Sequence, residues 1–236
     1  MWAPDISYFN GKYHLYYSAS SFGSNVSAIG LVTNATLDPT SPSYSWQDQG
    51  AVLTSTHANN FNAIDPNIFI NTDGRIWMNY GSFWDGIFQR EIDVASGRLL
   101  TGSSATHLAR RASSVAHNPI EGPSLVYKNG YYYLFTSWDS CCDSNPNNIT
   151  YKITVGRSTS PHGPFVDKDG TALISGGGSI LLQGNSLYSG PGGQMVYVTP
   201  SEDTIVFHAR RLSQNGLPYL FVKPLDWSTG WPVIGS

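Results

Sequence analysis

Charge is scarce in this 236-residue chain. The 29 Asp, Glu, Lys and Arg residues make up 12% of it and leave a net charge of −3, where an ordinary globular domain carries roughly 25% charged residues. Without a basic excess there is no electrostatic footprint for a phosphate backbone, so nucleic-acid binding is excluded as a main function. No run approaches the ~18 apolar residues of a membrane-spanning helix, and no membrane partner is expected. Met1-Trp2-Ala3-Pro4-Asp5 has neither a basic stretch nor an apolar run, so no signal peptide is expected there. There are two cysteines, Cys141 and Cys142, and they are adjacent. A bond between neighbours closes almost no loop and removes little unfolded-state entropy. Two reduced or vicinally bonded thiols in a turn are expected rather than a metal pair, for which further cysteine ligands are absent.

Aromatic residues and glycine are what the chain has instead: 14 Tyr, 10 Phe, 7 Trp and 24 Gly. Many rings and few charges let a chain bury apolar area against its entropy cost, which excludes disorder. Helical periodicity is scarce, and short alternating or aromatic runs take its place: 6–9, 13–18, 68–70, 76–80, 125–127, 131–136, 195–198 and 204–208. These predict strands. Within the pairs sit Asn10-Gly11, Asp73-Gly74, Asn129-Gly130 and, less ideally, Ser201-Glu202-Asp203; Asn-Gly and Asp-Gly favour the left-handed turns of tight hairpins. A proline signature precedes each hairpin, at Pro4, Pro66, Pro123 and Pro191, with spacings of 62, 57 and 68 residues. A repeat of ~60 residues with about four short strands predicts an all-β propeller of about four blades in a single domain, 1–236. A two-sheet sandwich would alternate strands and turns as well, but would not repeat the proline signature.

The innermost strand of a propeller blade lines the central channel, so the starts of the repeats converge on one mouth. Asp5, Asp65 and Glu121 lie at or beside such positions, and Trp2, Phe22, Phe83, Trp84 and Trp138 are near them in sequence. The restricted settings of Asp65 and Glu121 predict limited water access and a raised proton affinity. Carboxylates across an aromatic-walled groove suit glycosidic-bond hydrolysis, one protonating the leaving oxygen and one activating water. The plainer alternative has these carboxylates bonding turn backbones and the tryptophans packing the core; the repeat favours the groove.

The motifs Trp-Ala-Pro-Asp (2–5), Asn-Ala-Ile-Asp-Pro-Asn (62–67), Gly-Ser-Phe-Trp (81–84), Ile-Glu-Gly-Pro (120–123) and Gly-Pro-Gly-Gly-Gln (190–194) resemble those of glycoside hydrolase family 43, within it the endo-1,5-α-L-arabinanases. The resemblance implies a five-bladed propeller and an inverting mechanism with three channel carboxylates. By motif, Glu121 is implied as the general acid and Asp65 as the carboxylate that orients it and sets its proton affinity. Trp2 and Phe22 match aromatic positions bordering the sugar at the cleavage point, and Asn62 and Trp84 match further cleft contacts. The implied substrate is arabinan, including pectin side chains, and the implied location is extracellular.

Two departures from the family pattern follow. The general base belongs to a His-Asp-Pro motif, which does not occur in the sequence; Asp5 sits in the second-blade motif and is no substitute. The expectation is four blades of five, truncated at the N-terminus, with little hydrolysis by these residues alone and a monomer if the ring closes. Many relatives carry a histidine after the Gly-Pro-Gly signature that helps to hold calcium or another ion. Gln194 stands here, so a metal is doubtful, no cofactor is required, and His208 is expected to be structural. The alternatives in function are a non-catalytic carbohydrate-binding propeller and an exo-acting arabinofuranosidase or β-xylosidase. Three sequons, at Asn25, Asn34 and Asn148, lean weakly towards secretion.

Overall fold

The computed structural model describes residues 1–235. The expected fold class holds: the chain is all-β, four antiparallel sheets of four strands taken in sequence order, as in propeller blades. Blade 1 comprises β1 (Trp2–Phe9), β2 (Lys12–Ala19), β3 (Ser27–Asn34) and β4 (Gln47–Ser55). Blade 2 comprises β5 (Asn67–Ile70), β6 (Ile76–Tyr80), β7 (Ile87–Ile92) and β8 (Thr106–Ala109). Blade 3 comprises β9 (Ile120–Lys128), β10 (Tyr131–Trp138), β11 (Lys152–Ser158) and β12 (Ser179–Leu182). Blade 4 comprises β13 (Tyr188–Tyr197), β14 (Thr204–Arg211), β15 (Leu217–Asp226) and β16 (Val233–Ile234). The chain divides into two compact units, Met1–His107 and Leu108–Ser236, with the division inside β8.

The hairpins form where the turn chemistry requires them. Asn10 and Gly11 have φ of 47° and 73°, and Asn129 and Gly130 have 51° and 86°, so both central residues are left-handed, as a two-residue hairpin of this twist demands. Asp73-Gly74 behaves differently: only Gly74 is left-handed, and Asn71 closes a wider loop by pairing its N–H with Arg75 O at 2.9 Å.

Each unit fills its core from two neighbouring blades. In the first, Phe9, Tyr16, Ile29 and Leu31 of blade 1 pack with Ile68, Ile76, Met78 and Tyr80 of blade 2. In the second, Val126, Tyr133, Phe135, Ile153 and Val155 of blade 3 pack with Val196, Ile205, Phe207 and Trp227 of blade 4. Fully burying one such side chain contributes about 1.5–3 kcal/mol relative to exposure, so each blade-to-blade seam is strongly stabilising.

Two of the three sequons are structural. Asn25 is buried, its amide donating to the carbonyls of Thr56, Asn59 and Phe61 at 3.0–3.2 Å. Asn34 is buried too, accepting from the N–H of Ser45 at 3.1 Å. Only Asn148 of the three is exposed. Cys141 and Cys142 are joined by a disulfide.

Candidate active site

The proline signatures share one backbone feature. The residue before the proline is left-handed in all four blades: Ala3 (φ 42°), Asp65 (56°), Gly122 (57°) and Gly190 (61°). A non-glycine residue there costs about 1–2 kcal/mol, and Asp accepts it more readily than Ala because its short polar side chain bonds locally. The cost is met by fastenings on either side of the turn.

In the first unit, Ser18 and Asp5 make those fastenings. Ser18, fully buried and paired with Trp2 across β1 and β2, accepts the N–H of Asp65 at 2.9 Å. Asp5 accepts the N–H of Ile68 and the amide of Asn67, both at 3.1 Å, and the Ser7 hydroxyl at 3.4 Å. Asp5 is therefore enclosed rather than presented at an opening, which corrects the expectation that it joins the other carboxylates. Burial pushes its carboxyl up to about 6, against the opposing effect of these donors. A buried amide series continues from it: Asn79 donates to Asn67 at 3.0 Å and Gln89 to Asn79 at 2.9 Å.

The remaining first-unit candidates are tied to this turn. Ile64 O accepts the N–H of Gly81 at 2.9 Å, joining the segment before Asp65 to the Gly-Ser-Phe-Trp turn. In that turn Phe83 and Trp84 are left-handed, with φ of 55° and 43°, and Trp84 is 38% exposed. Asn62 is buried and donates to Ser24 O at 3.4 Å, while its amide oxygen is a buried acceptor without a partner. That bond reaches the loop of Phe22, which is 86% exposed. Trp2 is 40% exposed. Trp2, Phe22, Asn62, Asp65 and Trp84 thus belong to segments linked by hydrogen bonds within one unit, with three aromatic surfaces open to solvent. Trp138 departs from the expected groove wall: it is buried, with the Arg111 guanidinium stacked 3.9 Å from its ring centroid.

In the second unit, Glu121 is partly buried on β9, opposite Ser137 of β10. Its Oε1 accepts the hydroxyl of Tyr151 at 2.7 Å. Ser137, fully buried, accepts the N–H of Gly193 at 2.9 Å and donates to Gln194 Oε1 at 2.7 Å. The Gln194 amide nitrogen donates to Gly122 O at 2.7 Å. Gln194 is hydrogen-bonded to protein at both ends of its amide, and no group of three or more metal-ligating side chains is assembled among the described residues. His208 packs its ring beside Tyr151.

Sequence reasoning missed Tyr151, Ser18 and Ser137. The two serines do have a signal: aligned on the repeat, Tyr13-His-Leu-Tyr-Tyr-Ser18 matches Tyr132-Tyr-Leu-Phe-Thr-Ser137. Tyr151 has none, because it follows a loop with no counterpart in the other repeats.

Comparison with known proteins places the chain. Residues 1–232 match the sequence profile of glycosyl hydrolases family 43. The extracellular endo-alpha-(1->5)-L-arabinanase 1 of Bacillus subtilis is 47% identical over 231 residues, covering 98% of this chain and 68% of that protein. The extracellular exo-alpha-(1->5)-L-arabinofuranosidase ArbA of Cellvibrio japonicus is 39% identical over 243 residues, 99% of this chain and 70% of that protein. Among solved structures, an exo-1,5-alpha-L-arabinanase from a bovine ruminal metagenomic library superposes with a TM-score of 0.92 at 41% identity, covering 100% of this chain and 77% of that one. The repeated left-handed proline turns, the single, partly buried acid on β9 and these matches agree that the chain belongs to glycosyl hydrolase family 43.

Proposed function

We propose that this chain is an extracellular glycoside hydrolase of α-1,5-linked L-arabinan, with Glu121 as the general acid, Asp65 as the carboxylate that orients it, and the His-Asp-Pro general base not among these residues. The observation that carries the reading is the 47% identity to an endo-arabinanase across 98% of the chain. Glu121 is supported as the acid by its partial exposure and by the phenol that fixes one of its oxygens, the two conditions for delivering a proton to a leaving oxygen. Asp65 is supported by its strained backbone, since left-handed non-glycine residues concentrate where geometry matters more than local stability. The exposed rings of Trp2, Phe22 and Trp84 offer apolar faces for stacking on sugar rings, and Asn62 holds the Phe22 loop in place. Inversion would need acid and base about 6.5–9.5 Å apart with the attacking water between them. Two extracellular relatives and a disulfide, which persists in oxidising compartments, support secretion.

The test is incubation with linear arabinan, sizing the products and measuring affinity for arabino-oligosaccharides in parallel. These residues alone are expected to bind with little release, and oligosaccharide release by protein that also carries the His-Asp-Pro base, lost in Glu121→Gln with binding retained, is the expected result. Saturable binding without release even with that base supplied would replace hydrolysis by a carbohydrate-binding role, and release of arabinose alone would replace endo by exo action.

A further inference from the structure

In a chain with so little charge, cations left without a carboxylate stand out. Arg75, Arg111, Lys128 and Lys152 each sit within 2.9 Å of one. Lys168, Arg211 and Lys223 form no ion pair among the described residues, and all three line one cavity of about 630 Å³ in the second unit. The cavity follows the outer seam of blades 3 and 4, between β12 on one side and β15 and β16 on the other. No aspartate or glutamate is among the described residues that line it. Its size falls within the roughly 300–1,000 Å³ of ligand sites.

Local structure fixes both the charges and the surface between them. The Lys168 N–H donates to Ser179 Oγ at 2.8 Å, at the start of β12, and the Lys168 ammonium lies 5.8 Å from the Trp231 ring centroid. Arg211 ends β14 with its guanidinium 5.4 Å from the ring of Tyr219. A ring face holds a cation in place without cancelling its charge. Lys223 follows Phe221 by two residues on β15, so the pleat sets both side chains on one face. Phe221 and Tyr188 form the floor, with centroids 5.3 Å apart, and Phe221 stacks on Phe207 of the core. Ile180, Leu187 and Val233 are exposed around that floor. Leu187 is held there: Asn185 Oδ1 accepts its N–H at 2.8 Å, and its carbonyl accepts the N–H of Leu212 at 3.0 Å.

We propose that this cavity binds a short chain of uronic acids, the carboxylates against the three cations and the C–H faces of the rings against the apolar floor. Unpaired cations favour carboxylates through charge-assisted hydrogen bonds, and aromatic and aliphatic surface favours a ligand with apolar faces. A free phosphate would leave that surface unused, and a chain of rigid rings loses less freedom on binding than an acidic peptide does. Linear arabinan is uncharged, so the hydrolysis proposed above gives these cations no task. The choice of a sugar acid among carboxylates rests on the carbohydrate reading of the chain.

The deciding measurement is calorimetric titration with trigalacturonic acid at low ionic strength. Saturable one-to-one binding is expected, weakening as salt is added and absent for the fully methyl-esterified trimer, which keeps the rings and removes the charge. Lys168→Met and Lys223→Met, which keep apolar stems, should each weaken binding roughly 10-fold. Lys12→Met, on β2 of the first unit, makes the same change in net charge and should leave the affinity unchanged. Absence of saturable binding, equal affinity for the methyl ester, or an equal loss in Lys12→Met overturns the proposal. Displacement by equimolar inorganic phosphate would reduce the cavity to a site for simple anions, and tighter binding of tetraglutamate would assign it to an acidic peptide; either overturns the uronic-acid ligand. The arabinan reading fails separately, by the absence of both binding and release with the neutral polymer.

Discussion

The two units fasten their blades at the same two places with different chemistry. In Met1–His107, Ser18 catches the backbone of the next signature, and Asp5, just after its proline, catches the N–H of Ile68. In Leu108–Ser236, Ser137 catches Gly193, and Ser124, again just after its proline, catches the N–H of Val196 at 3.2 Å. One fastener is a carboxylate and its counterpart a hydroxyl. The carboxylate takes three donors in a buried setting and is held up to about 6, while the carboxylate of the second unit, Glu121, stands before its proline and is partly open. Position relative to the proline, rather than residue type, separates the acid that fastens from the acid proposed to react.

The sharpest way to break this comparison is to neutralise both acids. In protein that also carries the His-Asp-Pro base, Glu121→Gln is expected to lower turnover by about 10²–10⁴-fold, the usual worth of general acid–base catalysis, with little change in melting temperature, whereas Asp5→Asn should leave turnover within a few-fold. Parallel kinetics and thermal melts check both, and a large kinetic loss in Asp5→Asn would erase the distinction.

Stability against pH is the next test. Between 3.8 and about 6 the folded chain keeps the Asp5 proton that the unfolded chain has released, so this residue's contribution is full below 3.8 and is lost as pH rises through 6. The loss is about 3 kcal/mol. Denaturant titrations from pH 4 to 7 should show that decline in the wild type and a flatter profile in Asp5→Asn, while Ser124→Ala should keep the wild-type slope.

A smaller effect is expected of the serine fasteners. Ser18→Ala strands the half-buried Asp65 N–H and Ser137→Ala the buried Gln194 amide oxygen, and each should cost about 1–3 kcal/mol in chemical denaturation. Ser137→Ala should cost the more, because it leaves both the Gly193 N–H and the Gln194 amide oxygen unmatched. The smallest test exchanges the residues before two of the prolines. Gly122→Ala has room, with Ser137 Oγ at 3.6 Å from the new methyl, and should lose about 1 kcal/mol to conformation alone, whereas Ala3→Gly should gain less than about 1 kcal/mol. Opposite signs in thermal melts are the expected outcome.

The inner hairpins and the repeat were legible because local chemistry dictates them: Asn-Gly forces a tight turn, and alternation sets the buried face. The outer strands were not. β4 exposes five consecutive residues, 47–51, and β16 is two residues long, so neither carries a periodic signal, and both form by pairing with a strand already placed. At the site, motif spacing picked out Asp65 and Glu121, and the proline offset could have shown that Asp5 is a fastener. The left-handed turn before each proline was invisible because two of its four occupants, Ala3 and Asp65, are not glycine. Asn25 and Asn34 look like glycan acceptors in sequence and are consumed by loop carbonyls and amides in the fold.

The shared proline turn also divides labour in a way that bears on how such chains diversify. Residues following the proline hold one sheet to the next, and those preceding it carry side chains that reach solvent at Trp2, Asp65 and Glu121. Substitutions on the leading side can therefore retune what is gripped or cleaved while the seam stays intact, so a lineage can explore new sugars without first purchasing extra stability.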